Sequence, residues 1–194
     1  MTRDEVLRAL EAMAPPVIEP PLSDWEEGEA HRRAAVLVPL VDHDDGLTVI
    51  FGQRSKALRR HAGEVAFPGG RIEEGEDEIG AALREAEEEV GLRPEQVRIV
   101  ARLDTHRAGS GFAMAPHVGL VGPPVDLVPD GVEIEEAFEV PLSFLLDPDN
   151  HRRESLFWRG ADRWYSVFEY GPRYIWGATA TVLVNLLQVL RGER

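Results

Sequence analysis

Glu85, Glu88 and Glu89 bring three carboxylates together on a short stretch of chain, with Arg84 beside them and Glu76 shortly before. On a helix, Glu85 and Glu89 lie roughly 40° apart, with Glu88 close by on the same polar side. Unpaired carboxylates at these spacings repel by a few tenths of a kcal/mol per pair and weaken the helix that carries them. A hard divalent cation reverses that sign, because Mg²⁺ takes oxygen ligands and bridges one or two carboxylates to substrate phosphates. The competing reading is a solvated Glu-rich face with no ligand.

The elements that must position these acids are legible around them. Gly69–Leu92 reads GGRIEEGEDEIGAALREAEEEVGL. Starting near Glu76, Ile79, Ala82, Leu83, Ala86 and Val90 recur at the three- and four-residue spacing of one buried helical stripe. Gly69, Gly70 and Gly75 permit a tight loop with close backbone approach, and Gly91 suits a left-handed cap. Arg84 is placed to orient the acids from within the helix.

The spacing of the whole stretch also weighs on the choice between the two readings. Gly70, Glu76, Arg84, Glu85, Glu88, Glu89, Gly91 and Leu92 fit G-x5-E-x7-R-E-U-x-E-E-x-G-U, where U is a bulky aliphatic residue. Ala86, at the first U, is the one departure, and it touches packing more than chemistry. The stretch resembles the Nudix hydrolase box. That resemblance implies an α/β fold, a Nudix-type α/β/α sandwich with a mixed β-sheet and a catalytic loop-helix. It implies Mg²⁺ or Mn²⁺ as cofactor and a nucleoside diphosphate derivative as substrate. It makes Glu85, Glu88 and Glu89 the metal ligands, with Glu88 as third ligand or water base, and Glu88, Glu85 and Arg84 the catalytic set. Gly70, Glu76 and Gly91 support the site.

Upstream, Arg54-Ser55-Lys56-Ala57-Leu58-Arg59-Arg60-His61 concentrates basic residues in an acidic chain. Arginine forks bind phosphate oxygens bidentately, so such a loop could gather a polyanion despite the overall charge. Solvated surface, or ion pairing with the Glu-rich helix, is the plainer explanation of an isolated basic loop. Here it continues directly into the box, and RSKALRRHAGEVAFPGG, Arg54–Gly70, resembles the signature of the coenzyme A diphosphatase branch of Nudix hydrolases. Ile50-Phe51-Gly52-Gln53 departs from that branch's more aliphatic, Thr-containing lead-in. Phe168-Glu169-Tyr170 and Ile175-Trp176-Gly177-Ala178-Thr179-Ala180 resemble its closing segment. The implied reaction is hydrolysis of the pyrophosphate bond of coenzyme A to 4′-phosphopantetheine and 3′,5′-ADP. Arg54, Arg59 and Arg60 are the substrate-binding candidates. The alternatives are a Nudix diphosphatase for NADH, ADP-ribose or another dinucleotide, and a non-catalytic nucleotide-binding Nudix domain.

Composition bounds the rest. At 194 residues and 43% hydrophobic, the chain suits one domain, with 33–190 as the Nudix fold and 1–32 as an N-terminal helix and Pro-rich arm. A formal charge of −14 argues against nucleic-acid and anionic-membrane partners, leaving a small-molecule substrate. The chain contains no cysteine, which excludes disulfides and thiolate chemistry. Neither a secretory signal nor a membrane span is expected, so a cytoplasmic monomer or homodimer is the plain reading.

In chain order, Asp4–Met13 reads as an amphipathic helix with Val6, Leu7, Leu10 and Met13 on one side, followed by a linker at Pro15, Pro16, Pro20 and Pro21. Arg33–Val41 and Leu47–Gln53 read as a strand hairpin, with Pro39 clouding the pairing. Val97–Leu103 and Phe112–Val121 are further strands, and Pro116 suggests an edge or bulge. His106 and His117 show no metal-like spacing. Pro123–Gly131 is a connection leading to an acidic turn at Glu133, Glu135, Glu136 and Glu139, any of which could reach back toward a metal. Pro141–Leu146 is a short helix, and Glu154–Trp158 and Arg163–Glu169 are strands around an Arg159–Asp162 turn. Tyr174–Leu190 is a long apolar helix in which Trp176 could stack on adenine or pack in the core.

Overall fold

Both faces of the first strand are covered by helices, which is why its sequence runs apolar without alternating. A computed structural model describes residues 1–19, 32–108, 111–158 and 160–194. Strand β1 (Arg32–His43) sends Ala35, Leu37 and Val41 into one core with Ala81, Ala82, Ala86 and Val90 of α2 (Glu78–Val90). Its alternate residues Val36, Val38 and Leu40 enter a second core with Leu183, Leu186 and Leu187 of α4 (Gly177–Leu190). That second core also takes Val6 and Leu10 of α1 (Arg3–Ala12) and Leu142 and Leu145 of α3 (Leu142–Leu146). The layers are helix, sheet, helix.

The described residues place eight strands in one mixed sheet, β1 with β2 (Gly46–Arg54), β3 (Val65–Ala66), β4 (Gly69–Arg71), β5 (Val97–Arg102), β6 (His106–Ala108), β7 (Phe112–Val121) and β8 (Ile134–Pro141). The main path runs β3-β2-β1-β7-β5. β1 and β7 are parallel from Arg32↔Phe112 to Val41↔Val121, and β1 and β2 form the expected hairpin around Leu40↔Val49. β9 (His151–Trp158), β10 (Ala161–Tyr170) and β11 (Arg173–Ile175) make a second, antiparallel sheet.

The two prolines fall where ladder partners change over. On one side of β1, β4 pairs with Ala34–Val36 and β2 with Leu40–His43. Leu37 N–H donates to Pro68 O on that side, so the nitrogen of Pro39, two residues on, faces the gap between them. On the outer side of β7, β6 pairs with residues up to Met114 and β5 from His117 onward. Pro116 lies between them, its carbonyl accepting from Leu103 N–H. The edge expected at Pro116 is thus a gap inside a central strand, where a missing donor costs no ladder bond.

Three expectations need correction. The helix expected from Tyr174 begins at Gly177, because Trp176 is extended and Gly177 is left-handed at φ 59, while Tyr174 and Ile175 pair with Glu169 and Phe168 as β11. The expected acidic turn at Glu133–Glu139 is largely strand β8, paired to β2 through Phe51↔Phe138, its buried Ile134, Phe138 and Val140 obscured by the acids between them. Ile79 stands 40% exposed in the first turn of α2, and Ala81 enters the core in its place. With Ala81, Ala82 and Ala86 at the contact, α2 can approach the sheet closely, which suits the small residue at position 86. Pro20, Pro21 and Arg159 lie outside the described residues. No helix among the described residues is long and apolar enough to cross a membrane.

Candidate active site

The helix that carries the acids starts later than its hydrophobic spacing suggests. Asp77 caps it, Oδ1 accepting Gly80 N–H at 2.7 Å, so Glu76 stands outside the helix and turns back toward it. Gly91, left-handed at φ 73, ends α2, and its N–H reaches the carbonyls of the last turn. The connection after β7 completes that end, with Val128 N–H donating to Val90 O and Asp130 N–H to Glu89 O.

Arg84 organises the polar face. Its Nε and Nη2 donate to the two oxygens of Glu76 at 2.9 and 3.1 Å. Nη1 donates to Glu85 Oε1 at 2.9 Å and to Glu88 Oε2 at 3.1 Å, and Nη2 also reaches Arg71 O at 3.2 Å. The contact with Arg84 holds the Glu76 carboxyl below the usual range. A lysine keeps the charge but cannot span three carboxylates and a carbonyl. Arg84→Lys is therefore expected to lower kcat about 10- to 100-fold, the scale on which orienting partners of ligands act, as read from steady-state rates with any cleaved substrate.

Glu85 and Glu89 face the cavity, and the two glycines of β4 make room for them. A side chain at Gly70 would place its Cβ 2.3 Å from Glu85 Oε1. Gly69 N–H donates to Glu89 Oε2 at 3.0 Å. Glu89 is only 6% exposed; burial pushes its carboxyl up to about 7, repulsion from Glu85 and Glu133 adds to this, and Gly69 N–H and Arg54 oppose it. Burial likewise raises Glu85, with Glu88 and Glu133 adding to it against Arg84.

Of the three arginines proposed to hold substrate, Arg54 alone lines this cavity, its Nη1 lying 3.9 Å from Glu89 Oε1 and its Nη2 3.4 Å from Glu133 Oε2. Arg59 and Arg60 are exposed on the loop beyond and are not part of the cavity wall. Glu88 points outward, its side chain 60% exposed.

Among the four downstream acids the structure separates Glu133 from the rest. Glu135 accepts Lys56 N–H at 3.3 Å, Glu136 pairs with Arg173, and Glu139 takes His43 Nε2 at 2.6 Å. Glu133 lines the cavity, carried on a turn whose Asp130 carboxylate accepts the N–H groups of Val132, Glu133 and Ile134. This Asx turn at Asp130, which sequence reasoning did not single out, fixes the phase of the acids after it. His117 is buried beside Glu78, Nε2 to Oε2 at 3.4 Å, in a cluster with Arg102 behind the helix start.

The cavity measures about 640 Å³, a size that suits a small-molecule ligand. At one end are Arg54, Glu85, Glu89 and Glu133; elsewhere its wall includes Phe112, Met114, Trp176 and Val182. Trp176 meets Tyr165 edge-on at 5.7 Å, and the hydroxyls of Tyr165 and Tyr174 donate to Glu154 Oε2 at 3.2 and 2.8 Å, bracing that wall.

The donor set fits a hard divalent cation. Its groups are carboxylate oxygens, and the two that face the cavity, Glu85 and Glu89, are both disfavoured as bare charges. Among the described residues no three acidic or histidine side chains are gathered as a ready metal cage. Arg84 holds Glu85 and Glu88 toward itself while Glu89 faces Gly69 and Arg54.

A loop-helix of this kind, set against a mixed sheet between helices, defines a class that comparison bears out. The NUDIX domain family matches residues 31–173, and the chain belongs to that family. It is 34% identical over 188 residues to the uncharacterized Nudix hydrolase NudL of Shigella flexneri, covering 96% of this chain and 93% of the relative. It is 37% identical over 177 residues to Nudix hydrolase 15, mitochondrial, of Arabidopsis thaliana, covering 87% and 62%. In fold it is similar to a MutT/nudix family protein from Enterococcus faecalis, with a TM-score of 0.54 at 17% identity over 96% of this chain and 68% of that one.

Proposed function

We propose that this protein hydrolyses the pyrophosphate bond of coenzyme A, adding water to give 4′-phosphopantetheine and 3′,5′-ADP. The observation that carries the substrate is where two separate stretches meet. Arg54–Gly70 and Ile175–Ala180 both resemble the coenzyme A diphosphatase branch, and residues of both wall the cavity that holds Glu85 and Glu89. Membership of the family and relatives named Nudix hydrolases support the broader reading, hydrolysis of a nucleoside diphosphate derivative.

Glu85 and Glu89 would hold Mg²⁺ or Mn²⁺, with Glu88 close by on the same helix. The metal, when bound, supplies charge neutralisation at phosphate oxygens and a more acidic water. The chain's own residues do the positioning. Arg84 and Glu76 fix the acid cluster, Arg54 offers guanidinium donors to the pyrophosphate, and Glu133 holds Arg54 at the cavity edge. The apolar wall with Trp176 gives a face on which adenine can stack.

The test is product analysis after incubation with coenzyme A and Mg²⁺ or Mn²⁺, beside NADH and ADP-ribose. Release of 3′,5′-ADP and 4′-phosphopantetheine is the expected result. Cleavage of another dinucleotide in its place would replace the substrate, and tight nucleotide binding with no product from any of them would make this a binding domain.

A further inference from the structure

His61 and Glu64 form an ionisable pair on the cavity wall, separate from the set that Arg84 organises. His61 Nδ1 lies 2.9 Å from Glu64 Oε2. An ionised carboxylate can only accept, so Nδ1 carries hydrogen and Nε2 is the nitrogen left for a ligand. The side chain is 51% exposed, which leaves that nitrogen within reach.

The backbone fixes this placement. His61 sits at φ 55, in the left-handed region that few non-glycine residues adopt. The turn closes through Glu64 N–H to His61 O at 3.3 Å and Gly63 N–H to Arg54 O at 3.1 Å, and Arg54 N–H returns to Glu64 O at 2.8 Å. His61 is therefore tied through the main chain to Arg54, the guanidinium on the same wall.

The two basic groups have different counter-ions. Arg54 faces Glu89 and Glu133, at the carboxylate end, whereas His61 faces Glu64. Arg59 and Arg60 precede it, exposed and without an ion pair among the described residues, and extend positive charge along the same loop. A doubly protonated imidazole donates from both nitrogens, so the ring can give Nδ1–H to Glu64 and Nε2–H to an anion.

We infer that His61, oriented by Glu64, contacts the phosphate of the substrate that is not cleaved, the 3′-phosphate of coenzyme A. The assignment rests on the coenzyme A reading above. His61 acts in recognition and Glu64 is its positioning residue.

The test compares coenzyme A with 3′-dephospho-coenzyme A in the unmodified protein, His61→Asn and Glu64→Gln. Asparagine also tolerates the left-handed conformation, so the turn is kept while the imidazole is lost. His61→Asn is expected to raise KM for coenzyme A about tenfold or more, with kcat changed by less than about twofold and KM for the dephospho compound unmoved. Glu64→Gln, which leaves the ring in place, is expected to raise KM for coenzyme A by a smaller factor. Equal losses on both substrates, or a fall in kcat at constant KM, would overturn the assignment. If the unmodified protein cleaves NADH or ADP-ribose and leaves coenzyme A intact, the substrate reading itself fails, and the assignment with it.

Discussion

Glu89→Gln is expected to abolish most turnover while making the metal-free protein more stable. The variant keeps volume and an oxygen to accept Gly69 N–H, but removes a charge that burial and two neighbouring carboxylates disfavour. Loss of one charged group at the reacting centre should lower kcat about a hundredfold or more at saturating Mg²⁺. In the metal-free state the sign is opposite. The Glu89 carboxyl titrates at about 7 in the fold, against an ordinary value of 4.5. Its neutral form therefore stabilises the fold fully below about 4.5, and that stability is lost as pH rises through about 7. Above that pH the ionised carboxylate costs on the order of 3 kcal/mol, which Gln does not incur. Chemical denaturation in chelator should show Glu89→Gln more stable at pH 8, with the gap closing as the pH falls toward 4.5. Mg²⁺ should raise the melting temperature of the unmodified protein and leave the variant's nearly unchanged. A variant that turns over normally would remove Glu89 from the metal set.

The second large effect separates two adjacent glycines. At Gly69, φ 156, a Cβ would stand 2.4 Å from Ala35 O and 2.6 Å from Val36 Cα, both backbone atoms of the central strand. Neither can move without displacing β1, so Gly69→Ala should cost about 3 kcal/mol or more of stability. At Gly70 the obstruction is the Glu85 carboxylate, 2.3 Å away at the end of a flexible side chain. That group can swing aside cheaply, so Gly70→Ala should fold and melt nearly as the unmodified protein does. Its cost falls on chemistry, since Glu85 is driven from its place between Arg84 and the cavity; kcat should drop at least tenfold. Thermal melts and rates on the same two proteins check both halves, and a stable, fully active Gly70→Ala would show that Glu85 has another productive position.

The contrast between these glycines marks what the sequence could and could not disclose. Spacing alone placed Glu85, Glu88 and Glu89 on one polar side of a helix, with Arg84 within reach of them, because a helix has a fixed period. Their unequal burial was not legible: Glu89 sinks beneath β4 and Glu88 turns outward, and that depends on where β4 comes to rest against β1. Glu133 could be listed as one acid among four but not chosen, since its phase is set by the Asp130 turn and the pairing of β8 with β2. The apolar run of β1 was legible as a strand, and the helices that cover both its faces account for the lack of alternation. Trp176 was open between core and ligand, and it takes a place on the cavity wall that a strand-to-helix break at Gly177 creates. The hydrophobic signal of α4 ran straight through that break, because β11 and α4 bury their residues in the same core.

The two proline gaps divide the central pair of strands into halves with separate neighbours. At one end β1 and β7 are flanked by β4 and β6, and residues of this end, Ala34, Val36, Phe112 and Met114, line the cavity; at the other end they are flanked by β2 and β5. β6 pairs with β7 at one end only, so it can be lengthened, shortened or re-angled while the pairings of the other end stay in register. The sheet is in that sense a chassis with an exchangeable front, and a descendant of this sequence could acquire a new substrate by rebuilding β6 while inheriting unchanged its core and β4, whose glycines seat Glu85 and Glu89.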